Sequence, residues 1–300
     1  MGNVICWVLS QMRKSVVIFG AAGQLGVELV REFSARGSQV HSYTRRQIDL
    51  TDNAQIQRAI EQSHPDVVLN AAAYNMVDLA EQDPQGAYTV NALAVRAMAV
   101  ACRQFDAKLV HFSTDYVFDG QKRSPYAESD ATHPLGAYGV SKLAGEFYAQ
   151  AYLDALVIRT AVVFGPGGRA TPRGNFLETM LKKAEEQKTT GKPLLVVQDQ
   201  TASPTAAPWL AARTADLVDL GQTGVFHGAG EQAVSFYDYA RLIFRVAKLE
   251  VDLQPADERQ FRTPARRPKY SVLRNERMRG LGLAPMPELE AMVASYLQGR

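Results

Sequence analysis

The chain has 300 residues, of which 46% are hydrophobic and 21% charged, with a formal net charge of +2. That length supports a sizeable core in one large or two modest domains, and the near-neutral balance gives no reason to expect nucleic acid or an acidic membrane as partner. No apolar run approaches the ~20 residues of a membrane span. Two cysteines far apart, Cys6 and Cys102, argue against a disulfide framework and fit a reducing, cytoplasmic compartment.

The opening MGNVICWVLSQMRK has an apolar patch, Val4 to Leu9, with no preceding positive charge and no small-residue cleavage pattern. Residues 1–13 therefore read as an N-terminal extension and not as a signal peptide. From Lys14 strands and helices alternate. VVIF (16–19) leads into GAAGQLG and a helical stretch to Arg36, and Val40 to Tyr43 is the second strand. A helix from Asn53 is expected with a cap near Asp52. DVVLN (66–70) is the third strand, Pro84 to Phe105 reads as one long helix, and KLVHFST (108–114) is the fourth strand. The helix around Tyr138 then leads into LVIRT (156–160). This rhythm, with Val/Leu-rich strands, predicts an α/β fold with a doubly wound parallel sheet over residues 14–165. After Gly165 the segment GPGGRATPRGN breaks it, and LLVVQ (194–198) and Ser235 to Lys248 follow irregularly. Residues 166–300 are expected to form mainly a smaller mixed α/β substrate-binding domain, with some elements returning to the sheet.

GAAGQLG sets Gly20, Gly23 and Gly26 directly after a strand and at the start of a helix, where glycines let the backbone approach a pyrophosphate. Gln24 and Leu25 belong to the same cofactor-binding turn. After the second strand an acidic residue would serve a ribose 2′-hydroxyl; this chain has Thr44, Arg45 and Arg46, which suit a 2′-phosphate. NADP(H) is the expected cofactor, with NADH left open. Asp49 and Leu50 are candidates to flank the adenine.

Tyr138 and Lys142 in YGVSKLAGE share one helix face about one turn apart. Where a nicotinamide delivers hydride to a carbonyl carbon, the developing alkoxide needs a proton, and a phenol at its usual pKa of ~10 is a reluctant donor. A neighbouring ammonium favours the phenolate, so Lys142 is expected to lower the Tyr138 pKa and to hold the nicotinamide ribose. Gly139 and Gly145 each cost the helix roughly 1 kcal/mol relative to alanine, which is expected where it passes close to cofactor or neighbouring backbone. A third member belongs at the C-terminal end of a strand. Thr114 fits, able to hydrogen-bond the carbonyl oxygen and orient the phenol. Ser113 is the competitor, but alternation along the strand points the two hydroxyls oppositely.

With GAAGQLG, STDYVFDG and YGVSK in this order, the chain resembles the extended short-chain dehydrogenase/reductase family. NAAAYNMVDLAE (70–81), STDYVFDG (113–120), GNFLETML (174–181), DQTASPT (199–205) and ARRPKYSVL (265–273) narrow the resemblance to its dTDP-4-dehydrorhamnose reductase branch, over nearly everything from Lys14 onward. The resemblance implies NADPH-dependent reduction of the 4-keto group of dTDP-4-dehydro-L-rhamnose, giving dTDP-L-rhamnose, with Thr114, Tyr138 and Lys142 as catalytic residues. It implies further that Ala71, Ala72 and Ala73 line the cofactor. Val77 and Tyr116 would lie near the sugar, with Asn175, Gln200 and the pair Arg266 and Arg267 towards the nucleotide diphosphate. Arg262, Arg266, Arg267 and Lys269 otherwise read as a solvated basic loop.

Relatives often carry a tryptophan where RTAVVF has Val162, which leaves the sugar open to another nucleotide-bound 4-keto sugar. Some members use Mg²⁺ in a dimer contact; that ion and a homodimer are left open, since the histidines are scattered and no stretch has metal-ligand spacing. A non-catalytic NADP-binding subunit, like the regulatory subunit of methionine adenosyltransferase, is the alternative from another class. DQTASPT and ARRPKYSVL, suited to a nucleotide-sugar pocket, favour the enzyme.

Overall fold

Ser15–Phe19 (β1), Gln39–Tyr43 (β2), Val67–Asn70 (β3), Lys108–Thr114 (β4) and Leu156–Thr160 (β5) are the apolar runs of the first half. They appear in a computed structural model that describes residues 13–170, 174–261 and 263–299. The expected extension up to Met12, with its patch Val4 to Leu9, and Arg262 of the basic cluster lie outside the described residues. Beyond β5 the strands are short: Val163–Phe164 (β6), Leu194–Val197 (β7), Thr201–Ala202 (β8), Thr205–Ala206 (β9), Gly224–His227 (β10), Val234–Ser235 (β11) and Leu253–Ala256 (β12). The helices are α1 (Gln24–Ala35), α2 (Asn53–Ser63), α3 (Val77–Gln82), α4 (Pro84–Tyr88), α5 (Ala94–Gln104) and α6 (Ala137–Tyr152). In the second half come α7 (Phe176–Thr190), α8 (Ala207–Asp219), α9 (Phe236–Ala247), α10 (Glu276–Gly280) and α11 (Leu289–Gln298).

The main sheet is all parallel, in the order β10-β5-β4-β3-β1-β2. Alternation along each strand divides its side chains between two cores. Val16, Ile18, Val67, Leu69, Val110, Phe112, Leu156 and Ile158 face one core, which Leu25 and Leu29 of α1 and Leu210 of α8 complete. Val17, Phe19, Val68, Leu109 and Val157 face the other, with Ile56 and Ile60 of α2 and Val95 and Met98 of α5. Helices on both faces make the sheet doubly wound. The strand order reverses on either side of β1, so the crevice between the C-terminal ends of β1 and β3 is the topological switch point where such sheets bind ligands.

Asp52 caps α2 as expected, accepting from the amides of Ala54 and Gln55. Pro84 to Phe105 departs from the single helix expected. α4 and α5 are joined by a π-helical turn, Thr89–Leu93. Its Asn91 accepts from the Tyr74 amide at 2.8 Å and donates to the Tyr74 carbonyl and to Ser141 Oγ, both at 3.0 Å. Apolar periodicity reveals helix but not a widened turn whose purpose is to seat a polar side chain.

β10 comes from the second half and extends the sheet beside β5. The rest of that half carries small pairs, β6 with β9, β7 with β12 and β8 with β11. Around them α7 and α9 pack through stacked rings of Phe176 and Tyr239, 5.3 Å apart. Residues 269–274 run as a strap between the halves: the Ser271 amide bonds the Thr201 carbonyl, and Tyr126 bonds Val272 and Arg274. Among the described residues no helix is long and apolar enough to cross a membrane.

Candidate active site

The glycine loop folds back on itself at the switch point. Gly20 has φ +79°, and a Cβ there would lie 2.6 Å from the Ala72 amide nitrogen; one at Gly26 would lie 2.1 Å from the Gly20 carbonyl oxygen. Gly23 gives α1 no side-chain cap. The first-turn amides of Gln24, Leu25 and Gly26 are therefore not satisfied by a capping side chain, the usual setting for a phosphate. Tyr43 at the end of β2 accepts from the amides of Gly20 and Ala21, so the turn that follows lies beside the loop. In that turn Thr44 Oγ1 is engaged by Gln47 Oε1 at 2.8 Å. Arg45 and Arg46 are exposed and form no ion pair among the described residues. Asp49 holds its own turn together, accepting from the Thr51 amide and hydroxyl at 2.9 Å each, while Leu50 packs on the core behind β1. Ala71, Ala72 and Ala73 leave β3 opposite the loop, with the Ala71 amide on the Phe19 carbonyl at 3.0 Å. These residues fit a dinucleotide cradle.

Thr114 ends β4 and is 6% exposed. Its Oγ1 donates to Asp115 Oδ1 at 3.0 Å, accepts from the Tyr116 amide at 3.2 Å and shares a hydrogen bond with the Tyr138 phenol. Ser113 points the other way, donating to Glu146 Oε1 at 2.5 Å. Glu146 is also gripped by Arg159 in a buried ion pair. Lys142, 2% exposed, donates from Nζ to the Phe112 carbonyl at 2.6 Å. β4 and α6 thus bring threonine, tyrosine and lysine together.

The electrostatics correct one expectation. The Tyr138 phenol is pushed up to about 12, not lowered, because burial outweighs its hydrogen bond with Thr114 and the Asp115 carboxylate opposes ionisation further. Lys142, which burial pushes down to about 8 against the pull of Glu146, does not reverse that rise. The glycines of α6 do serve close approach, to backbone. A Cβ at Gly139 would lie 2.3 Å from the Tyr116 carbonyl oxygen, and one at Gly145 would lie 2.2 Å from that of Asn91.

A small cleft borders Tyr138, with Val77, Tyr116, Gly139, Ala265 and Arg266 among its lining residues. Tyr116 meets Tyr138 edge to face, with centroids 5.6 Å apart. Arg267 is held by Asp78, Nη2 to Oδ2 at 2.7 Å, and Asp78 also accepts from the Ala265 amide. Lys269 pairs with Glu258 and Asp199. Gln200 is buried, its carbonyl bonded by the Phe236 amide. Asn175 begins the other half of the site's surroundings, at the start of α7. It caps α7 and donates from Nδ2 to Gln24 Oε1 at 3.3 Å, while Gln24 donates to the Val163 carbonyl, so it braces the glycine loop. Val162 stands at φ +41°, in the left-handed region. Among the described residues no three His, Cys, Asp or Glu side chains group as metal ligands.

Asp115 and Ser271 went unremarked in the sequence. Both sit inside quoted motifs, next to Thr114 and Tyr270, but 156 positions separate them and only folding joins them, Ser271 Oγ to Asp115 Oδ2 at 2.5 Å. Burial pushes the Asp115 carboxyl up to about 6 against the two hydroxyls that hydrogen-bond it.

A family model described as "RmlD substrate binding domain" matches residues 12–299. The chain is 36% identical over 276 residues to a dTDP-4-keto-6-deoxy-D-glucose reductase of Streptomyces niveus, covering 90% of this chain and 92% of that one. It is 38% identical over 289 residues to the dTDP-4-dehydrorhamnose reductase of Mycobacterium tuberculosis H37Rv, covering 94% and 92%. In structure it is similar to the dTDP-4-dehydrorhamnose reductase of Bacillus anthracis solved in complex with NADP, with a TM-score of 0.90, 31% identity and coverage of 96% and 100%.

Proposed function

From the premise that this chain belongs to the RmlD family of dTDP-4-dehydrorhamnose reductases, we propose that it reduces dTDP-4-dehydro-L-rhamnose to dTDP-L-rhamnose with NADPH. The observation that carries this reading is the meeting of Thr114, Tyr138 and Lys142 at the end of β4, beside a small cleft and at the same end of the parallel sheet as the glycine loop. A reduced nicotinamide dinucleotide supplies the hydride when bound. The first-turn amides of Gln24, Leu25 and Gly26 would hold its pyrophosphate, Arg45 and Arg46 would take a 2′-phosphate, and Ala71 to Ala73 would wall the site. Tyr138, with its phenol near 12, is protonated at neutral pH and gives its proton to the ketone oxygen. Thr114 orients the phenol through the hydrogen bond between them, and the Lys142 ammonium offsets the phenolate left behind. Val77 and Tyr116 flank the sugar, Arg266, Arg267 and Gln200 face the nucleotide diphosphate, and Asn175 acts through the glycine loop. Residues 166–300 supply most of the substrate side.

A second reading is reduction of another nucleotide-bound 4-keto sugar. It is supported by the aliphatic Val162 and by the likeness to the Streptomyces niveus reductase. NADPH absorbance separates the two, followed with dTDP-4-keto-6-deoxy-D-glucose in the presence and absence of a 3,5-epimerase. Turnover that needs the epimerase supports the first reading, and turnover without it the second. Binding of NADPH with no turnover of any keto sugar would favour a non-catalytic subunit. Tyr138→Phe is expected to lower kcat by at least about 10²-fold. Arg45→Ala should raise KM for NADPH far more than for NADH; equal effects would remove the case for a 2′-phosphate site.

A further inference from the structure

Three buried side chains from distant parts of the chain stand in line behind the phenol. Ser271 and Asp115 are each 3% exposed and Thr114 is 6% exposed. The Ser271 hydroxyl donates to Asp115 Oδ2 at 2.5 Å, Thr114 donates to Asp115 Oδ1 at 3.0 Å, and Thr114 is hydrogen-bonded to Tyr138. The strap that carries Ser271 is pinned on both sides. Its own amide bonds the Thr201 carbonyl at 2.9 Å, Val272 accepts from Tyr126 at 2.8 Å, and the Leu273 amide donates to Ser203 Oγ at 3.3 Å. The hydroxyl is therefore presented by rigid backbone and not by a loose loop.

We propose that Ser271 is a positioning residue for the reduction: through Asp115 it fixes the Thr114 hydroxyl in one orientation against the Tyr138 phenol. The role rests on the reductase reading above. A threonine hydroxyl has one hydrogen and rotates to suit its partners. With the Tyr116 amide as donor on one side, the Asp115 carboxylate decides where that hydrogen goes. Each donor that meets a buried carboxylate favours its ionised form, and here the Asp115 and Tyr116 amides assist the two hydroxyls. Ser271 meets one carboxylate oxygen and thereby leaves the other to Thr114. Without it, the carboxyl would take up a proton at higher pH and become a competing donor, freeing the Thr114 rotor. The ionisable groups around Asp115 are the phenols of Tyr116 and Tyr138, with the Asp78–Arg267 pair beyond Tyr116 and Lys142 turned to the Phe112 carbonyl. Burial already brings Asp115 to about 6, close to the working range.

The test compares wild type, Ser271→Ala and Ser271→Thr by kcat, KM, NADPH affinity and the pH profile of kcat. Ser271→Ala is expected to lower kcat about tenfold with NADPH affinity and both KM values nearly unchanged. Its acid limb should move to higher pH, because the lost donor had held the Asp115 carboxyl down. Ser271→Thr, which keeps the hydroxyl, should recover most of the rate and the original limb. If Ser271→Ala does not fold, Ser271→Cys, with its weaker donor, should give the same displacement in smaller measure. An active wild type whose variants keep the same kcat and the same acid limb would overturn the positioning role alone. A wild type inactive on every nucleotide 4-keto sugar would overturn the reductase reading and this role with it.

Discussion

Lys142 shows burial and charge working against each other on one side chain. Its ammonium is almost fully enclosed and burial brings it to about 8, while Glu146 one turn along pulls upward. If the ammonium offsets the phenolate, kcat should be full below that value and decline as pH rises through about 8, when the proton is lost. A pH–rate profile at saturating NADPH checks this, and a flat profile from neutrality to pH ~10, the ordinary lysine value, would remove the assigned role. Residues of this kind were legible in the sequence because the spacing of Tyr138 and Lys142 lies within one helix and Thr114 ends one strand. The environment was not legible. A sequence shows that a lysine is near a tyrosine, but it cannot show that desolvation outweighs the lysine, nor that Ser271 arrives behind Asp115 from the other end of the chain.

At the level of elements, α6 is built to lie directly on other backbone. Gly145 is the tightest point, since a methyl group there would press the Asn91 carbonyl and the His111 ring. In a free helix Gly→Ala would gain about 1 kcal/mol. Here the overlap demands a backbone shift, and Gly145→Ala is expected to destabilise by about 1–3 kcal/mol net, read as a lower midpoint in urea at unchanged slope. A stabilised variant would mean that the contact is softer than the geometry says. The strands were readable because neighbouring side chains of VVIF (16–19) and LVI (156–158) point to opposite faces and must all be apolar when both faces are covered. The short helix α3 and the π turn were not, since each depends on partners in other elements, Asp78 on the Ala265 segment and Asn91 on Tyr74 and Ser141.

The whole molecule is stitched together across its middle. β10 closes the sheet edge at β5, α8 packs on α1, and Arg36 at the end of α1 binds Asp216 at 2.7 Å and Asp219 at 2.9 Å on α8. A fragment ending at Gly165 would lose that strand and uncover the apolar face shared by Leu25, Leu29 and Phe33. It is expected to show no cooperative urea transition by far-UV circular dichroism; a sharp two-state transition would mean that the first half folds alone. The doubly wound layer was legible from rhythm, whereas the second half was not, because its small strands follow partners and not periodicity.

The π turn has a consequence for the seam with α6, against which α4, the turn and α5 all pack. It sets Asn91, 1% exposed, into that seam, where its amide joins the Tyr74 backbone to the Ser141 hydroxyl. One polar side chain thus couples three stretches of chain that apolar contact alone would leave free to slide.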